Sequence, residues 1–327
     1  MEFDWAGAVL AEIWDGLAGP ATRLWPVYLG VSLLIAYALY RLRRIEGSFL
    51  GWIMPRAIYL HPSHIVDLKI FVLGRAIAAL GLLNVVFFGA LVAQWVGGLF
   101  GEGLGLAPLG PVAVALLLLT VSDFGTYWVH RIHHENRIFW PFHSVHHSAE
   151  VMTPITVFRK HPFYDVISTF VRGLFIGVLQ GVFIGLFAGK VSLFTLIGVN
   201  AGYVLFNMAG SNLRHTHVWL GYGKLLSHIF ISPAQHQIHH SLAPEHHNKN
   251  YGEVLAIWDW MFGTLYVPQA QVELQFGLGD RHGNRLAQRH DSLRAALVVP
   301  VQDSWKQVKK RFRRAPPAPQ EHVTPAE

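Results

Sequence analysis

The chain has 327 residues, 52% hydrophobic and 14% charged, where a soluble domain carries about 25% charged residues; the balance points to a membrane protein. It contains no cysteine, which excludes disulfides, thiolate zinc sites, haem-thiolate chemistry and cysteine nucleophiles. The net charge of +6 sits largely beside apolar segments and in the tail (Lys306, Lys309, Lys310, Arg311, Arg313, Arg314), as expected of a surface facing anionic lipid heads and not nucleic acid.

In chain order, the N-terminus MEFDWAGAVLAEIWDGLAG is acidic and lacks the basic start of a cleaved signal peptide. A bilayer core of about 30 Å takes roughly 20 apolar residues as helix. Five stretches meet that length: 24–41, 70–97, 108–129, 164–188 and 191–210. Gly74, Gly81 and Gly89 suit close helix packing in the second, and Gly189 with Lys190 predicts a tight hairpin between the last two. Lys and Arg follow the first, third and fifth stretches, including Arg41, Arg43, Arg44, Arg56, Lys69, Arg131, Arg137, Arg159 and Lys160, and 13 more follow residue 210. The opposite side has Arg23 and Lys190, so the positive-inside rule predicts an external N-terminus and a cytoplasmic C-terminus. From 211 the chain is more polar, 292–314 suits a surface-lying basic helix, and APPAPQEHVTPAE from Ala315 reads as disordered. The expected organisation is an N-terminal segment with the first span (1–69), a catalytic domain (70–270), and a basic segment with its tail (271–327).

Twenty histidines are unusual, and they are clustered. The unit His-x-x-His-His occurs twice, as His143, His146, His147 and as His236, His239, His240. Random placement would give about 0.07 copies. His130 and His134 form a third cluster at the end of the third apolar stretch. Side chains at i, i+3 and i+4 share one helix face, so each cluster can present two or three imidazoles to one point. Neutral imidazole suits iron, zinc and copper, and eight ligands suit two metals with open positions. A membrane metal transporter is a second class of function, but it would hold its ligands near the bilayer midplane, whereas these clusters follow the spans.

At SDFGTYWVHRIHH (122–134), FWPFHSVHHS (139–148), RKHP (159–162), SPAQHQIHHS (232–241) and NYG…WDWMFGTLY (250–266), the sequence resembles the fatty acid hydroxylase/sterol desaturase superfamily of membrane di-iron oxygenases. The resemblance covers roughly 70–270. It implies an all-α integral membrane bundle, here of about five spans, capped by a cytosolic histidine-lined di-metal site. It further implies two iron ions (zinc can occupy the same ligands), O2 as co-substrate, and hydroxylation or desaturation of a sterol, fatty acyl or alkyl lipid drawn from the bilayer. Hydroxylation is the expected outcome. No flavin, nicotinamide, haem or iron–sulfur motif is visible, so electrons would come from an external reductase, ferredoxin or cytochrome. The lack of cysteine and organelle signals suggests a bacterial inner membrane with the site on the cytoplasmic side.

Carried over by motif, the ligands are His130, His134, His143, His146, His147, His236, His239 and His240, with His161 a ninth site residue. His215 is preferred as a further ligand over His217 and Asn212. A histidine is common in the family about where Gly210 stands here. Asp123 lies two helical turns before His130 and would orient a ligating imidazole or line the substrate entrance. His133 is read as a non-ligand, as are His61, His64, His228, His282, His290 and His322. His246 and His247 are candidates for contacting ligands. Asn250, Tyr251 and Gly252 suggest a turn supporting the last cluster, while Trp258, Trp260 and Phe262 suggest packing or an interfacial belt.

Overall fold

The structure is a computed structural model that describes residues 5–19, 22–80, 85–102, 104, 110–187 and 204–312. Among these the chain is helical, with only isolated antiparallel bridges and no strand. In order come α1 (Trp5–Ala18), α2 (Pro26–Leu42), α3 (Phe49–Ile53), α4 (Arg56–Tyr59), α5 (Pro62–Ala79), α6 (Val85–Gly98) and α7 (Pro111–Glu135). Then follow α8 (Trp140–His147), α9 (Pro162–Phe187), α10 (Gly223–Leu226), α11 (Pro233–His239), α12 (Ile257–Met261) and α13 (Leu293–Phe312). Short 3-10 turns at Pro154–Phe158, Ser211–His215 and Pro244–His246 join them. Proline in the first turn starts α2, α5, α7, α8 and α11, where its missing N–H has no helical partner to lose.

Among the described residues one helix, Pro162–Phe183 within α9, is long and apolar enough to cross a bilayer, and Pro26–Leu42 is a shorter apolar helix. The outward side chains Val166, Phe170, Leu174 and Val178 of α9 are exposed. Over 70–97, a stretch long enough to tilt or kink, the described residues form two helices. The first, α5, begins at Pro62 and closes at Leu80, while α6 begins at Val85. α5 starts ahead of the apolar stretch, and its first turns are not membrane sequence. Ser63, His64 and Asp67 are buried among polar partners, Ser48 caps the short α3, and His61 caps α5 itself. The expected hairpin at Gly189 and Lys190, most of the fifth stretch (191–203), and the tail from Ala315 lie outside the described residues.

α6 packs along α9. A Cβ on Gly177 would stand 2.5 Å from the Gly89 carbonyl oxygen, so only glycine permits this approach. α7 also lies on α9, and α1 lies on α5. Beneath these helices is a compact polar layer. Val66 and Ile70 of α5, Val145 of α8 and Ala296 of α13 form one of its cores. Ala36, Ile53, Leu213 and Val218 form another and tie α2 to the Ser211–His215 turn. The end of α7, α8, that turn and α11 meet in this layer.

Candidate metal centre

Nine imidazoles converge there in two groups. His130, His134, His143, His147 and His239 form the first, and His146, His215, His236 and His240 the second, with candidate ligand atoms within 4.8 Å of one another in each group. Their assignment follows helical geometry. On α8, His143 and His147 stand four apart and share the first group, while His146 turns to the second. On α11 the pattern reverses, with His236 and the capping residue His240 in the second group and His239 in the first. The i, i+4 pairs each face one point and the odd histidine faces the other. The two groups touch: His147 stacks on His240 with ring centroids 4.4 Å apart.

The nitrogens fit metal ions. His130 Nε2 is 3.0 Å from His143 Nε2; His215 Nε2 is 3.0 Å from His236 Nε2 and 3.3 Å from His146 Nε2. Nitrogens about 2.1 Å from one metal sit about 3.0–3.4 Å apart in octahedral or tetrahedral arrangement. The Nε2 atoms of His134, His147 and His239 are buried with no hydrogen-bond partner among the described residues, a costly state unless a metal takes the lone pair. On the outer side, His130 Nδ1 donates to the Tyr251 carbonyl and His239 Nδ1 to the Lys249 carbonyl, each at 2.7 Å. Those bonds place the proton on Nδ1 and leave Nε2 free to ligate. Burial disfavours the imidazolium throughout. It pushes His130 down to about 4 and the other eight well below their ordinary value. All nine are therefore neutral near pH 7, the form that binds metal.

Of the ten histidines expected at the site, His161 stands apart from both groups. Its Nε2 donates to the Leu297 carbonyl at 3.0 Å and its Nδ1 accepts from Phe163 N–H at 3.1 Å, so both nitrogens are occupied. Asp123 contacts no imidazole through a hydrogen bond. It accepts from Val254 N–H and Leu255 N–H, each at 2.9 Å, and from the Trp258 indole at 3.1 Å. It therefore anchors the loop whose Tyr251 carbonyl orients His130. Asp259 holds the same loop from the other side, accepting from Tyr251 N–H, Gly252 N–H and Thr264 Oγ1. Asn250, with φ of 57°, donates to the Gln235 and Tyr266 carbonyls and so ties the loop to α11. His133 donates from Nδ1 to Val129 within α7 and joins neither group. His246 and His247 also make no bond to a ligand: His247 donates to the Leu242 carbonyl, and His246 packs on Tyr266.

At Gly210 the backbone has φ of 89°, and a Cβ there would stand 3.0 Å from Leu220 and 3.3 Å from Ile35. A side chain at this position would meet an apolar wall. The glycine starts the 3-10 turn that carries His215 into the second group. Two residues were missed as site components. Arg159 reads in the sequence as a surface charge of a cytoplasmic loop, yet it is fully buried. It donates to the Val145 carbonyl of α8 at 2.8 Å and pairs with Asp67 at 2.7 Å, also reaching Ser148 and the His290 carbonyl. Tyr164 stacks on His143 at 4.8 Å and 21°. A cavity of about 200 Å³ abuts His134, His147, His239 and His240, and is lined also by Trp140, His247 and the Gly277–Gly279 loop; nothing in the composition of 271–285 announces that role.

Residues 115–264, which hold all nine imidazoles, match the fatty acid hydroxylase family. Over this segment, just under half of the chain, it is similar to that family. An ornithine lipid hydroxylase of Rhizobium tropici is 31% identical over 169 residues, 51% of this chain and 46% of that protein. Human alkylglycerol monooxygenase is 33% identical over 150 residues, 46% of this chain and 30% of its own length. A very-long-chain aldehyde decarbonylase of Arabidopsis thaliana is 28% identical over 163 residues, 48% and 24% respectively. The chain thus spans less than half the length of these relatives. No solved structure matches it. The matched segment holds most of α7 and all of α8 to α12, and so includes the elements that build the histidine site.

Proposed function

We propose that the protein is a membrane-embedded, O2-dependent lipid hydroxylase, or monooxygenase, with two irons bound by the five- and four-histidine groups. The observation that carries this is the convergence of nine neutral Nε2 atoms on two adjacent points. The names of two relatives, a lipid hydroxylase and a monooxygenase, favour oxygen insertion over desaturation. A pair of redox-active irons, when bound, supplies reductive O2 activation and attack on an unactivated C–H bond. The chain's own residues do the rest. The Tyr251 and Lys249 carbonyls hold the proton on Nδ1 of His130 and His239 and aim Nε2 inward. Arg159 and Asp67 hold α8 in place from behind. Tyr251 is fully buried, lies 5.1 Å from the His134 ring, and has a phenol that burial keeps protonated. Trp140 and the Gly277–Gly279 loop limit water at the exposed side.

The substrate is a bilayer lipid entering sideways between helices, and the electrons come from a separate reductase, ferredoxin or cytochrome. Five spans with a cytoplasmic site in a bacterial inner membrane remain the favoured topology. The test joins metal analysis of the purified full chain to mass spectrometry of lipids from cells expressing wild type or His146→Ala. Two irons per chain and a lipid heavier by one oxygen, absent with the variant, are expected. Less than one metal ion per chain, or identical lipids in both cells with metal intact, overturns the reading.

A further inference from the structure

A second cavity, of about 220 Å³, lies between α5 and the start of α9. That is about seven water volumes, room for a polar headgroup and not for a whole lipid. Its walls are apolar, with Phe71, Ile77 and Phe158, but three charged side chains also line it: Arg75, Lys160 and Asp165. Among the described residues none of the three has a close ion-pair partner. Arg75 reaches only Glu12, at 3.9 Å, and its Nε is buried without a hydrogen bond. Its guanidinium lies over the Phe158 and Phe71 rings, 5.6 and 6.0 Å from their centroids. Lys160 Nζ makes no hydrogen bond among the described residues and stands 5.8 Å from the Tyr164 ring. Asp165 is in the first turn of α9, the membrane-length helix, and its field acts on Lys160. The surrounding outer surface is apolar, with Val72, Phe163, Val166 and Phe170 exposed.

Charges at the edge of an apolar layer are expensive unless neutralised. Here two cations and one carboxylate face a shared apolar-walled space, and among the described residues the long Arg75–Glu12 contact is their one ion pair. A simple anion would meet Asp165 as well as the cations. A group carrying both signs satisfies all three. We propose that this cavity binds the headgroup of a zwitterionic lipid, its anionic group on Arg75 and Lys160 and its primary ammonium on Asp165. The proposal rests on the lipid hydroxylase reading and names the substrate class. Lys160 is one ring from the metal centre, since Tyr164 lies between it and His143. A headgroup held there directs oxidation to carbons near the head and away from the chain's far end.

The experiment measures apparent Kd by thermophoresis of the purified, metal-loaded full chain in detergent. Four probes are used: dihexanoyl-phosphatidylethanolamine, N-lauroyl-lysine with free carboxylate and ε-ammonium, dihexanoyl-phosphatidylglycerol, and uncharged dihexanoylglycerol. Both zwitterions are expected to bind about tenfold tighter than the other two, the worth of one charge-assisted contact. Whichever of the two binds better identifies phosphate or carboxylate as the anionic group. Lys160→Gln and Asp165→Asn should each abolish the advantage, and Lys160→Arg should keep it. Equal binding of phosphatidylglycerol or dihexanoylglycerol, or an advantage surviving both substitutions, overturns the proposal. If Lys160→Gln does not fold, Arg75→Gln tests the same anion contact from α5, and an unchanged preference there also overturns it. Metal content measured on the same samples separates the two readings: missing metal defeats the di-iron assignment, whereas lost headgroup preference with metal present defeats only this one.

Discussion

His130 illustrates how one side chain is prepared for its role. Its Nδ1 proton is pinned by a backbone carbonyl, and burial holds its pKa at about 4, against about 6.5 in an unfolded chain. Between these values the unfolded chain binds more protons than the folded one. Stability of the chelated protein is therefore full above about pH 6.5 and falls as pH drops towards 4. The other eight imidazoles shift the same way, so their losses add. Denaturant midpoints measured on metal-free protein from about pH 7.5 to about pH 5 should decline steadily; a flat or rising profile would contradict neutral burial of the cluster. Asp123 acts at one remove from the same ring. Asp123→Asn leaves at least one of the three N–H donors of the 254–258 segment without its acceptor. We expect a loss of about 2–3 kcal/mol in stability, measured by denaturation, together with weaker metal retention. Unchanged metal content would show that the loop does not position His130.

At the scale of elements, the histidine clusters were legible in the sequence because helical spacing converts directly into shared faces. The start of α5 at Pro62, ahead of the apolar stretch, was not legible, since hydropathy marks apolar residues and not helix ends. Nor was Arg159. A charge beside a predicted span reads as a topological marker, and only the tertiary contacts of α5, α8 and α13 reveal it as a buried tie. His161 misled for the opposite reason: its motif position is right, but the chain turns there into α9 and spends both ring nitrogens on backbone groups. The buried tie has a measurable weight. Arg159→Met strands the Asp67 carboxylate and leaves the Val145, Ser63 and His290 carbonyls and the Ser63 and Ser148 hydroxyls without this donor, and removing one partner of a buried pair costs about 3–5 kcal/mol. The variant should unfold at markedly lower denaturant and hold less metal. Asp67→Asn combined with Arg159→Met should recover part of the stability, because the stranded charge is gone; no recovery would mean that the pair is not the source of the loss.

For the molecule as a whole, the sequence argues for sides of a membrane that the described helices alone do not distinguish. The absence of cysteine makes the question easy to pose, because any introduced thiol is unique. Leu104 and Lys310 are both exposed. An impermeant maleimide added to intact cells, with the outer membrane opened, should label Leu104→Cys and should reach Lys310→Cys only after the inner membrane is broken. Labelling of Lys310→Cys in intact cells would reverse the orientation. Sequence composition was informative at this scale about membrane association, and silent about the cavity between α5 and α9, where folding brings Arg75 to Lys160 and Asp165 from the far side of α6, α7 and α8.

The crossed allotment of α8 and α11, each giving two histidines to one group and one to the other, makes the two metal positions a single unit of supply. If the two groups hold iron as proposed, binding at one point would rigidify both helices and so prepare the other. Titrated with ferrous iron, the chelated protein should fill along a sigmoidal curve, with little of the singly loaded form detectable by native mass spectrometry. A cell short of iron would then hold a mixture of complete and empty copies, and its oxidising capacity would fall in number of working molecules while each remaining one kept its full rate.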